Sequence, residues 1–204
     1  MRVKELAPEE LWRSRFDSIN DFERMLVREG TTIPKFFLHI SKEEQPEKFR
    51  ERQERTDVHA RMATPGTLGA CPPGSCSQAA DSARFRVEPG ERVALADLDP
   101  ADTGGVAGEQ ATGREYVTLS ERLSSLQERL HAEERRSLLI VLQGTDAAGK
   151  DGTIKHVLRG TNPAGVRVHS FKEPSNDELA HDFLWRYHQA TPADGMIGVF
   201  NRSH

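Results

Sequence analysis

Seven consecutive residues, Gly144-Thr145-Asp146-Ala147-Ala148-Gly149-Lys150, have the types and spacing to hold a phosphate. They fit the pattern G-x-x-x-x-G-K. Its glycines let the backbone turn tightly, so that successive N–H groups converge on an anion. A following helix presents its positive end, and the lysine reaches the outer phosphates. The bare pattern is weak; its weight comes from its place, directly after the apolar run Leu138-Leu139-Ile140-Val141-Leu142 and ahead of a helical pattern. Gly144, Ala147, Ala148, Gly149, Lys150, Asp151 and Gly152 are therefore candidate phosphate- or nucleotide-binding residues, with Lys172 and Asn201 farther along the chain.

The residue after Lys150 is Asp151, where the common motif has Ser or Thr to hold magnesium. A metal is then held elsewhere or plays no part. Asp146, a carboxylate inside the loop, is the candidate metal ligand; the alternative for Asp146 is a turn residue favoured by its own side chain. Phosphate-loop enzymes usually carry an acid at the end of a neighbouring strand. Here Phe200 is followed by Asn201 and Arg202. Arg202 suits the charge that develops in phosphoryl transfer, against the alternative of an exposed arginine near a chain end. Asp146, Lys150 and Arg202 are the candidate catalytic residues. His181 and His188, seven residues apart, lack a carboxylate set and are not assigned a metal.

These residues need elements to position them. Ser137 to Gln143 reads as a strand apolar on both faces, the habit of a central parallel strand. A helix is expected from Gly149 to Leu158, a strand from Val166 to Phe171, a helix capped by Ser175-x-x-Glu178 and running to Ala190, and a strand from Met196 to Phe200. Upstream, Thr118-x-x-Glu121 is read as a capping box opening a helix with Leu119, Leu123, Leu126 and Leu130 on one face. Near the start, Pro8-Glu9-Glu10 opens a helix with Trp12, Phe16, Ile19, Glu23 and Leu26 on one stripe, ended by Gly30. Lys35 to Ile40 is expected as a buried strand and Ser41 to Gln53 as a charged helix. Strands alternating with helices give an α/β fold with a parallel sheet.

The 204 residues are 36% hydrophobic and 29% charged, with a formal net charge of −4. Mild acidity argues against nucleic acid as a partner. No apolar run approaches the roughly 20 residues that span a bilayer, and no apolar stretch follows Met1-Arg2-Val3-Lys4-Glu5 as a secretory signal requires. A cytoplasmic location away from membranes is expected. Residues 58–82, rich in Pro and Gly, cannot bury enough surface to offset the entropy of ordering them and read as a flexible linker between 1–57 and 83–204. Cys71 and Cys76 sit within it without the two further ligands of a zinc site. A glycine-rich patch spans 102–113.

The stretches LLIVLQGTDAAGKDGTIKHVLRGTNPAG and SFKEPSNDELAHDFLWRYHQATPADGMIGVFNRSH resemble the catalytic core of the polyphosphate kinase 2 family, and RFRVEPGERVALADLDPADTGG is similar to its lead-in. The first segment, VKELAPEELWRSRFDSINDFERMLVREGTTIPKFFLHISKEEQ, resembles the part of the family that follows the core, with Pro34 where an apolar residue is usual. The order is permuted: later core, linker, lead-in, earlier core. The family pattern continues beyond N-R-S-H with a Tyr-Glu-Asp stretch and a lid, whereas this chain ends at His204. The resemblance implies a P-loop kinase-like parallel sheet flanked by helices, incomplete and permuted. It implies phosphoryl transfer between inorganic polyphosphate and an adenine or guanine mono- or diphosphate. In that reading Asp146 binds Mg2+, Lys150 holds phosphate and Arg202 contacts polyphosphate or the transferred group. Relatives commonly assemble, so a homo-oligomer is compatible with it. The alternatives are a phosphate- or nucleotide-binding fragment without catalysis and another P-loop kinase that uses ATP on a small molecule.

Overall fold

The structure, a computed structural model, describes residues 9–41, 44–48, 50, 85–88, 91–102, 104, 113–145 and 147–202. The linker expected at 58–82, its two cysteines and most of the glycine-rich patch at 102–113 lie outside the described residues. The chain forms two compact units. The first comprises Met1–Phe37, Arg122–Gln143 and Lys150–His204, and the second Leu38–Glu121 and Gly144–Gly149.

The elements run α1 (Glu9–Arg28), β1 (Thr31–Thr32), β2 (Lys35–Leu38), α2 (Gly113–Glu133), β3 (Ser137–Gly144), α3 (Lys150–Val157), β4 (Val166–Ser170), α4 (Asn176–Leu179), α5 (Trp185–Ala190) and β5 (Ile197–Asn201). Residues 44–48 are also helical. One five-stranded sheet is ordered β1-β3-β5-β4, with β2 also paired to β3. β1 and β5 run parallel to β3, and β4 runs parallel to β5. The architecture is α/β, a parallel sheet flanked by helices.

Period-2 alternation sorts the first unit's core onto two faces. On one face Leu139, Val141 and Phe200 pack with Phe22 and Leu26 of α1 and Tyr187 and Ala190 of α5. On the other, Leu142, Ile197 and Val199 pack with Leu130 of α2 and with Ile154 and Leu158, at the end of α3. Both faces of β3 and β5 are thus covered, as their unbroken apolar sequences require. Gly198 keeps β5 close to its cover: a Cβ there would stand 3.1 Å from the Pro192 ring.

Four expectations need correction. The strand expected at Lys35 to Ile40 forms only over Lys35–Leu38, and it is mostly exposed instead of buried. β1 and β2 are two short pieces separated at Pro34, which has no N–H for the ladder; its carbonyl still accepts from Val141 N at 3.0 Å. Phe36 and Phe37 stand exposed on β2. On α1 the buried face is Ile19, Phe22 and Leu26, while Phe16 is exposed. Glu23 on that stripe is held by an ion pair to Lys35 at 2.5 Å. The side chain of Trp12 lies outside the described residues. α2 begins at Gly113, leaving Thr118 inside the helix rather than at its cap. Finally, the helix opened at Ser175 does not reach Ala190. The capping box forms, but Asp182 Oδ1 accepts from Leu184 N at 2.9 Å. This local side-chain bond competes with the helical ladder and divides the segment into α4 and α5.

Candidate phosphate site

In the second unit, β3 ends where Gly144 takes φ +154°; a Cβ there would lie 2.7 Å from the Leu38 carbonyl oxygen, so only glycine fits. Ala147 (φ +67°) and Gly149 (φ +84°) are left-handed. Such residues, set among right-handed neighbours, turn N–H groups toward one concavity suited to an anion. Ala148 N donates to Thr145 O at 3.2 Å, and Gln45 Nε2 donates to Thr145 Oγ1 at 3.3 Å. A Cβ added to Gly149 would meet nothing within 4 Å among the described residues. Asp146 lies outside the described residues.

The first unit supplies a polar cluster at the carboxyl ends of β4 and β5. Lys150 opens α3 and is only 5% exposed. Asp151 follows in the first helical turn, where the helix dipole favours a carboxylate. The register pairs Ser170 with Asn201 and Leu142 with Asn201, placing all three on the face that α3 covers. Asn201 Nδ2 donates to Asp151 Oδ1 at 2.5 Å and to Ser170 Oγ at 3.2 Å. The amide's two hydrogens are thereby used, and Asn201 Oδ1 is buried with no hydrogen-bond partner among the described residues. Arg202 N donates to Leu142 O at 3.1 Å. Its backbone is left-handed at φ +63°, a sparsely populated conformation for a residue with a Cβ. Gly152 lies in the exposed first turn of α3 with open space around it. Lys172, exposed, follows β4, and its carbonyl accepts from Arg186 Nη2 at 3.0 Å.

Lys150, Asp151 and Asn201 are thus brought to one place, with Ser170 as a member that sequence reasoning missed. Its signal was available: Ser170 ends the strand two residues past Val168, on the face that meets Asn201. The donors suit a hard cation. Asp151 offers a carboxylate and Asn201 the orphaned Oδ1, both oxygens of the kind magnesium takes, one or two per protein site with phosphate and water filling the rest. Among the described residues no group of three or more His, Cys, Asp or Glu converges. His181 and His188 are engaged separately: His181 stacks on Trp185 at 4.1 Å and bonds the Asp177 carbonyl, and His188 meets the Phe22 ring edge-on at 4.5 Å. Burial, helped by Arg167, holds the His169 imidazole below its ordinary pKa. Burial also pushes the Tyr187 phenol up.

The sequence profile described as polyphosphate kinase 2 matches residues 1–63 and 107–204. Among curated proteins, an AMP/ADP-polyphosphate phosphotransferase of Meiothermus ruber is 49% identical over 122 residues, covering 59% of this chain and 46% of that protein. An ADP-polyphosphate phosphotransferase of Rhodopseudomonas palustris is 47% identical over 121 residues, covering 59% of this chain and 42% of that protein. Among solved structures, polyphosphate kinase 2 from Arthrobacter aurescens TC1 superposes with a TM-score of 0.57 at 39% identity, covering 64% of this chain and 48% of that one. The matched region spans less than half the length of each of these relatives. The two matched stretches together take in well over half of the present chain, which belongs to the polyphosphate kinase 2 family.

Proposed function

We propose that this chain carries the phosphate-holding core of a phosphotransferase that moves a phosphoryl group between inorganic polyphosphate and a nucleoside mono- or diphosphate. The observation that carries this reading is the buried Lys150 at the start of α3, directly after a loop with left-handed Ala147 and Gly149. In the forward step, a terminal oxygen of the nucleotide phosphate attacks the end phosphorus of polyphosphate. A new P–O bond forms, the old bridging P–O bond breaks, and the chain leaves one phosphate shorter. The loop ahead of α3 and the Lys150 ammonium hold the phosphate oxygens, while Ala148 N stays bonded to the Thr145 carbonyl. Arg202 meets charge spreading over the transferred group. Asn201 holds the Asp151 carboxylate toward the carboxyl end of β5. Asp151, Asn201 Oδ1 and, from outside the described residues, Asp146 are the oxygens that would hold Mg2+, which would neutralise charge on the reacting phosphates when bound.

The names of the relatives support adenine nucleotides as acceptors. No helix among the described residues is long and apolar enough to cross a membrane, and a cytoplasmic setting is part of the same proposal. So is the permuted organisation into 1–57, 58–82 and 83–204. A second reading is phosphate binding without turnover, favoured by Asn201 at the end of β5, where phosphate-loop enzymes usually carry an acid. Incubation with ADP, long-chain polyphosphate and Mg2+, with ATP followed by luciferase, separates the two. ATP above a Lys150→Ala control supports transfer. Its absence alongside polyphosphate-induced thermal stabilisation supports binding alone, and absence of both rejects each.

A further inference from the structure

The loop leaving β4 is held by two charged side chains that no phosphate requires. Phe171 N donates to Asn201 O at 3.1 Å, so the sheet ladder extends one residue and the chain departs at Lys172. It re-enters regular structure at Ser175, whose N–H donates to Glu178 Oε2 at 2.7 Å while Glu178 N donates back to Ser175 Oγ at 3.2 Å. The same carboxylate sets its other oxygen, Oε1, 3.3 Å from Arg186 Nε, an ion pair without hydrogen-bond geometry, so that among the described residues Nε has no hydrogen-bond partner. Arg186 is largely buried, with its side chain 11% exposed. Its Nη2 donates to the Lys172 carbonyl, and its Cζ lies 5.0 Å from the Phe171 ring centre and 5.7 Å from that of Tyr187. One guanidinium therefore fixes the first loop residue, and one carboxylate fixes the last.

We infer that Arg186 and Glu178 are positioning residues that set Lys172 as a second phosphate-binding cation at the carboxyl end of β4. The carbonyl of Lys172 is taken by Arg186, while its ammonium is carried on an exposed residue. Ligands of parallel α/β sheets bind beyond the carboxyl ends of strands. Lys172 comes two residues after Ser170, the register partner of Asn201, and Arg202 comes one residue after Asn201. The two cations thus leave adjacent strands at the same end of the sheet. An extended polyanion needs several such cations in a row, whereas a single phosphate is served by the loop. A planar fork reaching a carbonyl, a carboxylate and a ring face at once is a task for arginine and not for lysine.

This inference rests on the phosphate reading above, and the test keeps the two apart. Binding of end-labelled long-chain inorganic polyphosphate to the full chain is followed by fluorescence anisotropy at several salt concentrations, with thermal melts of every variant. Lys172→Ala is expected to weaken binding about tenfold and to lower the salt slope by about one phosphate contact. Arg186→Gln and Arg186→Lys are expected to weaken it several-fold in the native background. In the Lys172→Ala background they should leave affinity and salt slope unchanged, since they act through Lys172. If Arg186→Gln does not fold, Glu178→Gln makes the same comparison. Unchanged binding by Lys172→Ala, with binding lost in Lys150→Ala, overturns this inference alone. An equal loss from Arg186→Gln in both backgrounds also overturns it. Absence of polyphosphate binding by the unaltered chain overturns the phosphate reading and this inference together.

Discussion

Asn201 Nδ2 stands 2.5 Å from Asp151 Oδ1, across 50 positions of sequence. The usual phosphate-loop arrangement has a hydroxyl at the start of the helix and an acid at the strand end. Here the acid sits on the helix and an amide on the strand. The exchange keeps one carboxylate at the site, and the amide supplies the donor that the hydroxyl would have supplied. It also fixes the amide's orientation, because a flipped Asn201 would set its oxygen against a carboxylate.

Asn201→Asp tests that orientation. It places a second carboxylate against Asp151 and removes both donated hydrogens, so unfolding free energy near pH 7 should fall by about 1–3 kcal/mol. The like charge raises the new carboxyl's folded pKa above its unfolded value. Its contribution is therefore retained in acid and lost as pH rises through that raised pKa. Urea unfolding should show a smaller deficit near pH 4 than near pH 7. Equal deficits would mean that the amide does not donate to Asp151.

Gly144 and Gly149 both have positive φ, but their surroundings differ. Gly144→Ala drives a Cβ to 2.7 Å from the Leu38 carbonyl, so backbone must move. Gly149→Ala meets nothing within 4 Å among the described residues and carries only the left-handed penalty, about 1–2 kcal/mol. Thermal melts should rank Gly144→Ala as clearly the more damaging. For Gly149→Ala the phosphate affinity should suffer more than stability, because Gly149 belongs to the loop proposed to hold the phosphate.

How much of this was legible follows from the range of each interaction. β3, the turn that follows it, α3, β4 and β5 were read within a residue or two, because apolar alternation and glycine are local signals. The break at Asp182 was missed because an aspartate inside an apparently helical stretch looks tolerable until its carboxylate bonds Leu184 N. Phe22 was missed because Phe16 fits the same stripe, and only the sheet's position decides which ring is covered. Ser170–Asn201 and Arg186–Lys172 are long-range bonds, and the second uses a backbone carbonyl, which every residue has.

The core offers a contrast between two phenylalanines. Phe200 is 0% exposed and touches Phe171 at 4.9 Å between ring centres, whereas Phe36 is 52% exposed on β2. Phe200→Ala should cost about 3–5 kcal/mol of unfolding free energy. Phe36→Ala should stay within about 0.5 kcal/mol. Comparable losses by chemical denaturation would show that β2 is covered in solution.

His169 gives the stability its own pH dependence. Its ring lies 6.3 Å from those of Phe171 and Phe200, and burial, then the Arg167 charge, lowers its pKa. The folded chain therefore resists the imidazolium, while the unfolded chain accepts a proton near the ordinary value of about 6.5. Between that value and the lowered one the unfolded state binds more protons, so stability rises with pH there. The neutral ring's contribution is complete above about pH 6.5 and shrinks as pH falls below it. His169→Gln removes this titration. Melting temperatures at pH 7.5 and 5.5 should fall farther for the unaltered chain than for the variant. An equal fall in both would show that His169 is protonated as readily in the folded chain as in the unfolded one.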